Sequence, residues 1–512
     1  MTLPSNWTIG WLGELATEVR NGISLRPDSD RGQPILRISA VRPMNLDTSD
    51  IRFLPGSSAQ WSPYRLHLDD LLFTRYNGNP HLVGVCARVQ AEPACQLVYP
   101  DKLIRVRVDT AVAEPAYVEK VVNTGMSRAA IEAKLKTSAG QVGIAGGELK
   151  EIPIPLPPLA EQRRIVAKIE SLFARSRRAK QALLAIPPLL DRLRQSILAA
   201  AFHGELTTEW RKQHSGTGSG EDLLQRARLE RRRRWESAEA TRMVARGRAT
   251  NGEAWKSKYR DAVPAEPSGS LPRGWTWASL DELTLIVGGI TKGQKRGPGE
   301  RLRPVPYLRV ANVQRGFLDL TDMKEIAATA EEIRELRLEV GDILLNEGGD
   351  RDKLGRGWVW GGEIPECIHQ NHVFRARPVM PEVDSQFLSH YANNFGQQFF
   401  LDAGAQTTNL ASVSMTKIRA LPVPLAPAGE QREIVRILTN RLAAIDRTRA
   451  LLVAALEEND DLQSSILAKA FRGELVPQDP NDEPASALLE RLRAGHQAGD
   501  GEPKRKRRSP GE

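Results

Sequence analysis

P-I-P-L-P-P-L-A-E-Q-R-R-I-V, residues Pro153 to Val166, decides how this chain is organised, because it returns at Pro422 to Val435 as P-V-P-L-A-P-A-G-E-Q-R-E-I-V. The match runs without a gap to Ser196-Ile197-Leu198 against Ser465-Ile466-Leu467. It ends at Phe202-His203-Gly204-Glu205-Leu206 against Phe471-Arg472-Gly473-Glu474-Leu475. A repeat of that length at constant offset is a duplication. The starts of the halves also correspond: Leu3-Pro4-Ser5-Asn6-Trp7, with Leu12, Glu14 and Leu15, matches Leu271-Pro272-Arg273-Gly274-Trp275, with Leu280, Glu282 and Leu283. Between these markers the halves diverge. Ile35-Leu36-Arg37-Ile38 still resembles Tyr307-Leu308-Arg309-Val310, and Asp70-Leu71-Leu72 resembles Asp342-Ile343-Leu344.

The repeated tails read as long helices. Ile165, Ile169, Leu172, Ser176, Ala179, Leu183, Ile186, Leu190, Leu193 and Ile197 recur in steps of four and three, the seam of a coiled coil. The second copy runs Ile434, Leu438, Arg441, Ile445, Thr448, Leu452, Ala455, Asn459, Leu462 and Ile466. Pro187-Pro188 interrupts the first seam without shifting its phase and predicts a kink or break. Two such helices in one chain are expected to pair antiparallel, which makes the halves equivalent about a pseudo-two-fold axis. Each large seam residue contributes about 1.5–3 kcal/mol on burial. The fold class expected is α/β (α+β): two mixed α/β domains in tandem, each followed by a long α-helix, the helices pairing as an antiparallel coiled coil.

The expected boundaries are 1–150 for the first variable domain and 151–206 for its helical region. A linker with a basic helix (Glu221 to Arg246) occupies 207–270. The second variable domain is 271–417, its helical region 418–475, and the tail 476–512 ends in the expectedly disordered Lys504-Arg505-Lys506-Arg507-Arg508 run.

Composition restricts the function. The 512 residues exceed one ordinary core, and 40% apolar with 26% charged residues is a soluble globular balance. A formal charge of +9 permits a polyanionic partner without requiring one. Cys86, Cys95 and Cys367 form no C-x-x-C pair, so neither a zinc site nor a disulfide framework is expected, and a reducing cytoplasm fits. With no apolar run of spanning length and no leader pattern, no membrane association is expected.

Catalytic patterns are incomplete. Asn79-Pro80-His81-Leu82 lacks the second proline and aromatic of an adenine-methylating site, and Gly288 to Gly293 lacks phosphate-loop spacing. His369 and His372 lack a third metal ligand, and Asp342 with Glu347 lack the lysine of a nuclease centre. No catalytic, cofactor-binding or metal residue is assigned. Candidate DNA contacts are Lys292, Gln294, Lys295 and Arg296 in a Gly-flanked loop of the second domain, and Arg26, Arg31, Arg65, Arg75 and Asn77 in the first. Candidate helix-pairing and partner-docking residues are Ile165, Ile169, Leu172, Leu183, Leu193, Ile197, Ile434, Leu438, Ile445, Leu452, Leu462 and Ile466.

The P-I-P-L-P-P-L-x-E-Q-R-x-I-V run, leading into a helix that ends Q-S-I-L-x-x-A-F-x-G-E-L and repeated once, resembles the conserved region of type I restriction-modification specificity subunits. The resemblance implies a non-catalytic, cytoplasmic subunit with two target-recognition domains that read a bipartite site on double-stranded DNA. It also implies two docked methyltransferase subunits acting on adenine N6 and, in the full complex, motor-nuclease subunits. S-adenosylmethionine, ATP and Mg would then belong to those partners, with no cofactor in this chain. The rival readings are a fused modifying enzyme and a DNA-binding or coiled-coil scaffold outside restriction.

Overall fold

The computed structural model describes residues 3–499 except 28–29, 56–57, 139–140, 215, 217, 249, 251, 268, 294, 296, 298, 350–354, 404 and 407–410. The Lys504–Arg508 run lies outside the described residues. The chain forms two compact units, one from 1–185 with 452–512 and the other from 186–451. No described helix is long and apolar enough to cross a membrane.

In the first unit, strands Ala16–Asn21, Leu103–Val108, Leu71–Thr74 and Cys86–Arg88 form an antiparallel sheet in that order. Leu71 to Phe73 and Leu103 to Val106 are buried along their whole run, as expected of strands covered on both faces. The second unit repeats the order with Thr284–Val287, Val373–Pro378, Ile343–Asn346 and Gly357–Val359. Its peripheral sheet differs: Leu302–Leu308 pairs antiparallel with Lys324–Thr329 and parallel with Ile368–His369. Asp70 and Asp342 stand at the same point of the two sheets. Each receives an arginine Nε–H at 2.7 Å, from Arg107 and Arg377 respectively. Asp342 is therefore a structural carboxylate, fixed by an ion pair.

The duplicated motif forms the join between sheet and helix. Pro153–Leu156 pairs antiparallel with Thr8–Trp11, and Pro422–Leu425 with Thr276–Ser279. Each motif strand then turns into a long helix, Leu159–Leu184 or Ala428–Ala470. The Glu of each E-Q pair is fully buried at the helix start. Trp7 Nε1–H donates to Glu161 Oε1 at 3.1 Å, and Trp275 Nε1–H donates to Glu430 Oε2 at 2.9 Å. The adjacent glutamines accept backbone N–H groups, Gln162 from Glu114 at 2.8 Å and Gln431 from Asp384 at 2.9 Å. Burial pushes the Glu161 carboxyl above the ordinary carboxylate range, against the hydrogen bonds from Gln478 and Trp7. Glu430 receives the Thr207 hydroxyl at 2.6 Å and pairs with Arg211.

The helices that end in F-x-G-E-L close each unit from the other side. Gly204 and Gly473 have φ of +71° and +76°, and a Cβ at either would meet a proline Cγ, of Pro272 at 2.5 Å or of Pro4 at 2.4 Å. Phe471 packs edge-on to Tyr117 in the first unit, as Phe202 packs on Phe387 in the second.

Helix pairing is antiparallel within each unit. In the first, Ser176 Oγ–H donates to Asn459 Oδ1 at 3.1 Å and Lys180 Nζ–H donates to Asp460 Oδ1 at 2.6 Å. In the second, Arg194 lies 3.7 Å from Asp446 and Asp191 pairs with Arg449. The first helical region breaks at Ala185, and Ile186–Phe202 resumes with Pro187-Pro188 in its first turn, where missing N–H groups cost least. Ile165, Ile169, Ile197, Ile434, Leu438, Ile445, Leu452 and Ile466 are buried; Leu172 and Leu183 are half-buried. Leu193 and Leu462 are 49% and 48% exposed and do not belong to the seam. The line spaced seven apart through Ile445, Leu452, Asn459 and Ile466 faces inward as expected. The second inward line, however, lies four residues beyond it (Leu442, Leu456, Gln463, Ala470) and not three, which turns Arg441 and Leu462 outward.

Candidate nucleic-acid interface

Both recognition candidates rise from one position of the repeated sheet. In the first unit, strand Ala16–Asn21 ends at Gly22-Ile23. Ile23 N–H donates to Tyr99 O at 3.0 Å, and Asp101 N–H donates to Ile23 O at 2.9 Å. In the second, Thr284–Val287 leads to Gly289-Ile290, where Ile290 N–H donates to His369 O at 2.9 Å and Asn371 N–H to Ile290 O at 3.0 Å. Only glycine fits before each isoleucine: a Cβ would fall 2.2 Å from Pro100 O at Gly22 and 1.9 Å from His369 O at Gly289. From these anchors the chain runs out through Arg26 and Arg31 in one unit, and through Lys292 and Lys295 in the other, all four exposed. The repeated G-I-[ST], Gly22-Ile23-Ser24 and Gly289-Ile290-Thr291, is the signal that could have shown the two loops to be equivalent. Gln294 and Arg296 lie outside the described residues.

The remaining candidates of the first unit do not form one cluster. Arg105, only 1% exposed, donates from Nη1 to the carbonyl of Arg65 at 2.7 Å and from Nη2 to Glu18 Oε2 at 2.5 Å. Burying that guanidinium costs free energy unless its donors are satisfied, and these acceptors fix the backbone at Arg65. The Arg65 side chain turns to Gln96 Oε1 at 2.6 Å. Arg75 follows strand Leu71–Thr74 and lies over the Tyr76 ring at 4.8 Å. Asn77 sits on the next short strand and accepts from Asn79 N–H at 3.0 Å. Arg65 is thus held beside Arg105 and Gln96, whereas Arg75 follows the end of strand Leu71–Thr74.

His369 and His372 are not a metal pair. His369 is buried with Nδ1 2.6 Å from Val373 O, and burial lowers its pKa to about 4; His372 Nδ1 lies 2.5 Å from Glu347 Oε2. No group of three potential metal ligands occurs among the described residues. The arginines 231–234 are all engaged within the second unit: Arg231 with Asp281 at 3.1 Å, Arg232 with Glu236, and Arg233 and Arg234 with Glu230.

The duplication extends beyond the F-x-G-E-L pairs. Helix Gly220–Ala245 carries Leu223-Leu224-x-Arg226-x-Arg228, and helix Ala485–Gly499 carries Leu488-Leu489-x-Arg491-x-Arg493. Arg228 Nη2–H donates to Glu282 Oε1 at 2.6 Å, and Arg493 Nε–H donates to Glu14 Oε1 at 3.1 Å, on equivalent glutamates. Gly220 N–H donates to Gly274 O at 2.7 Å as Ala485 N–H donates to Asn6 O at 3.2 Å. The L-L-x-R-x-R repeat was legible in the sequence but is too short to stand out without the fold.

Residues 128–185 match the family described as the type I restriction modification DNA specificity domain. The chain is 26% identical over 519 residues to the type I restriction enzyme StySPI specificity subunit of Salmonella potsdam, covering 96% of each. It is 42% identical over 222 residues to the EcoKI specificity subunit of Escherichia coli K12; that stretch is 42% of this chain and spans about half, 48%, of the relative. The chain is thus similar to type I restriction-modification specificity subunits, over nearly its whole length in the case of the Salmonella relative. The crystal structure of the HsdS subunit from Thermoanaerobacter tengcongensis shares its fold, with a TM-score of 0.58 at 18% identity over 93% of this chain and 99% of that one.

The anchor is testable. Gly289→Ala forces a methyl into the His369 carbonyl and is expected to lower unfolding free energy by about 1–3 kcal/mol. Gly78→Ala, with nothing within 4 Å, is expected to change it by less than about 0.5 kcal/mol. Urea unfolding of both variants checks this; equal effects would contradict the anchoring role.

Proposed function

We propose that this specificity subunit recognises an asymmetric bipartite sequence on double-stranded DNA and docks two adenine-N6 methyltransferase subunits, and through them the motor-nuclease subunits. Residues 1–150 and 271–417 serve as the target-recognition domains, 151–206 and 418–475 as the helical regions that space them. Residues 207–270 serve as a linker bearing the basic helix, and 476–512 as a C-terminal tail. The observation that carries this reading is one sheet and one glycine–isoleucine anchor, built twice, with a different basic loop leaving each copy. Different loops on a common frame read different half-sites, because base-edge discrimination depends on a few side chains. Lys292, Gln294, Lys295 and Arg296 in one domain, and Arg26, Arg31, Arg65, Arg75 and Asn77 in the other, are the proposed DNA contacts. S-adenosylmethionine, ATP and Mg are assigned to the partners and none to this chain, and the complex is placed in the cytoplasm.

Docking of the same partner twice is supported by apolar side chains left outward at matched positions of the two helical regions. Leu193 and Leu462 are equivalent, and so are Leu184 and Val453, each 56% exposed. Apolar side chains standing outward at matched points of two copies suit one partner surface used twice. The buried residues Ile165, Ile169, Ile197, Ile434, Leu438, Ile445, Leu452 and Ile466, with Leu172 and Leu183, hold the helices that present them.

Because Leu193 and Leu462 are outside the buried seam, Leu193→Asp with Leu462→Asp is expected to leave the fold intact and abolish methyltransferase binding, each charge costing about 2 kcal/mol or more in an apolar contact. Size-exclusion chromatography with light scattering, alongside circular dichroism, checks both; full assembly with two methyltransferases would contradict the docking reading. For DNA, Lys292→Ala with Lys295→Ala is expected to reduce the slope of log affinity against log salt by up to about 0.9 per lost phosphate contact. An unchanged slope in fluorescence anisotropy would place the DNA elsewhere.

A further inference from the structure

Among the described residues, one feature of the second unit has no counterpart in the first. Beyond its docked turns, helix Gly220–Ala245 runs on as an arm, and the chain returns along it to Val263. Two ion pairs on buried carboxylates root the arm, Arg228 on Glu282 and Arg231 on Asp281. Val263 N–H donates back to Asp281 Oδ2 at 3.2 Å, and Ser279 Oγ–H donates to Val263 O at 2.5 Å. An aromatic clamp holds the return segment. Trp235 stacks with Trp255 at 6.2 Å and meets Tyr259 at 5.4 Å, with Arg231 and Arg232 over the Tyr259 ring at 5.8 and 5.7 Å.

Between Arg226 and Arg260 the chain has twelve Lys or Arg against four Asp or Glu, so this short stretch carries nearly all of the net +9 of the protein. Arg246, Arg248, Lys258 and Arg260 are exposed and make no ion pair among the described residues. Arg232, Arg233, Arg234 and Arg242 pair only with acids one turn away on the same helix. Exposed pairs of that kind contribute little and are readily exchanged for a phosphate. The aromatic side chains are half-buried in the clamp, and the exposed apolar residues of the helix, Leu229 and Val244, stand about 22 Å apart along it, so they do not make the single apolar centre of a protein-docking face.

We propose that this arm is a sequence-independent phosphate-binding surface for duplex DNA flanking the half-site read by the second unit. This inference rests on the DNA-recognition reading above. Regularly spaced phosphates are the partner whose charge complements a surface of dispersed cations without an apolar core. Reach agrees: Leu285 borders the groove formed by Arg231, Trp235, Lys258 and Arg260. From Leu285 to Lys292 is seven residues of chain, at most about 25 Å. That is less than one turn of duplex, about 34 Å, so the arm and the Lys292 loop can engage one DNA molecule.

The test is the full chain assembled with its methyltransferase subunits, with or without Arg246→Ala, Arg248→Ala, Lys258→Ala and Arg260→Ala combined. Anisotropy is measured from 50 to 200 mM NaCl on a 50-base-pair duplex carrying the methylated sequence and on an unrelated duplex of equal length. The variant is expected to lose affinity for both duplexes by the same factor, about tenfold, with a salt slope reduced by up to about 0.9 per lost contact. Unchanged affinity and slope would overturn the arm while leaving the recognition loops untouched, and so would a loss confined to the specific duplex. Loss of methyltransferase assembly with DNA affinity retained would reassign the arm to a protein partner. Failure of the unaltered complex to bind either duplex would overturn the DNA reading itself.

Discussion

A tryptophan indole N–H buried against a glutamate at the start of a long helix is the interaction on which both units depend. Trp7 with Glu161 and Trp275 with Glu430 tie together the amino-terminal strand of a domain, its closing P-x-P-L strand and the helix that follows. A carboxylate removed from water must be bonded, and these two are met from several sides, by Gln478 in one unit and by Thr207 and Arg211 in the other. The partners of the two glutamates differ while their place does not. Each glycine–proline contact, Gly473 on Pro4 and Gly204 on Pro272, then brings the end of a helix to the beginning of a domain. The shared part of each half is thus a closed clasp, and the residues between the clasp strands are free to vary.

The duplication, the helices and the break at Pro187-Pro188 are legible in the sequence, because periodicity and proline chemistry act locally. The reason E-Q recurs is not, since a hydrogen bond spanning 154 residues leaves no local trace. The second line of the helical seam lies one residue from where the spacing puts it. Spacing alone does not say whether three or four residues separate the inward lines, and Leu193 and Leu462 satisfy the pattern equally well while pointing out. Asp342 and His369 are visible as polar residues in apolar runs. Only packing identifies them as the partner of Arg377 and a neutral buried imidazole. The shared origin of the Arg26 and Lys292 loops is hidden because two letters, Gly-Ile, carry it.

These features divide the labour within the chain. Packing and buried polar bonds secure what the halves have in common, and the candidate recognition loops lie in what differs. The second unit adds an arm whose charge dominates that of the whole protein, so the two units are alike in frame and unlike in electrostatics. Under the proposed reading, affinity contributed by phosphates and specificity contributed by loops can vary separately.

The central claim is that base readout is divided between the two domains while the helices fix the distance between their targets. Methylome sequencing tests it most directly, in cells where residues 1–150 of this subunit have been replaced by the equivalent domain of a related one. The account predicts that one half-site changes and that the other half-site and the spacing between them stay as they were. A single replacement that rewrote both half-sites, or altered the spacing, would contradict it.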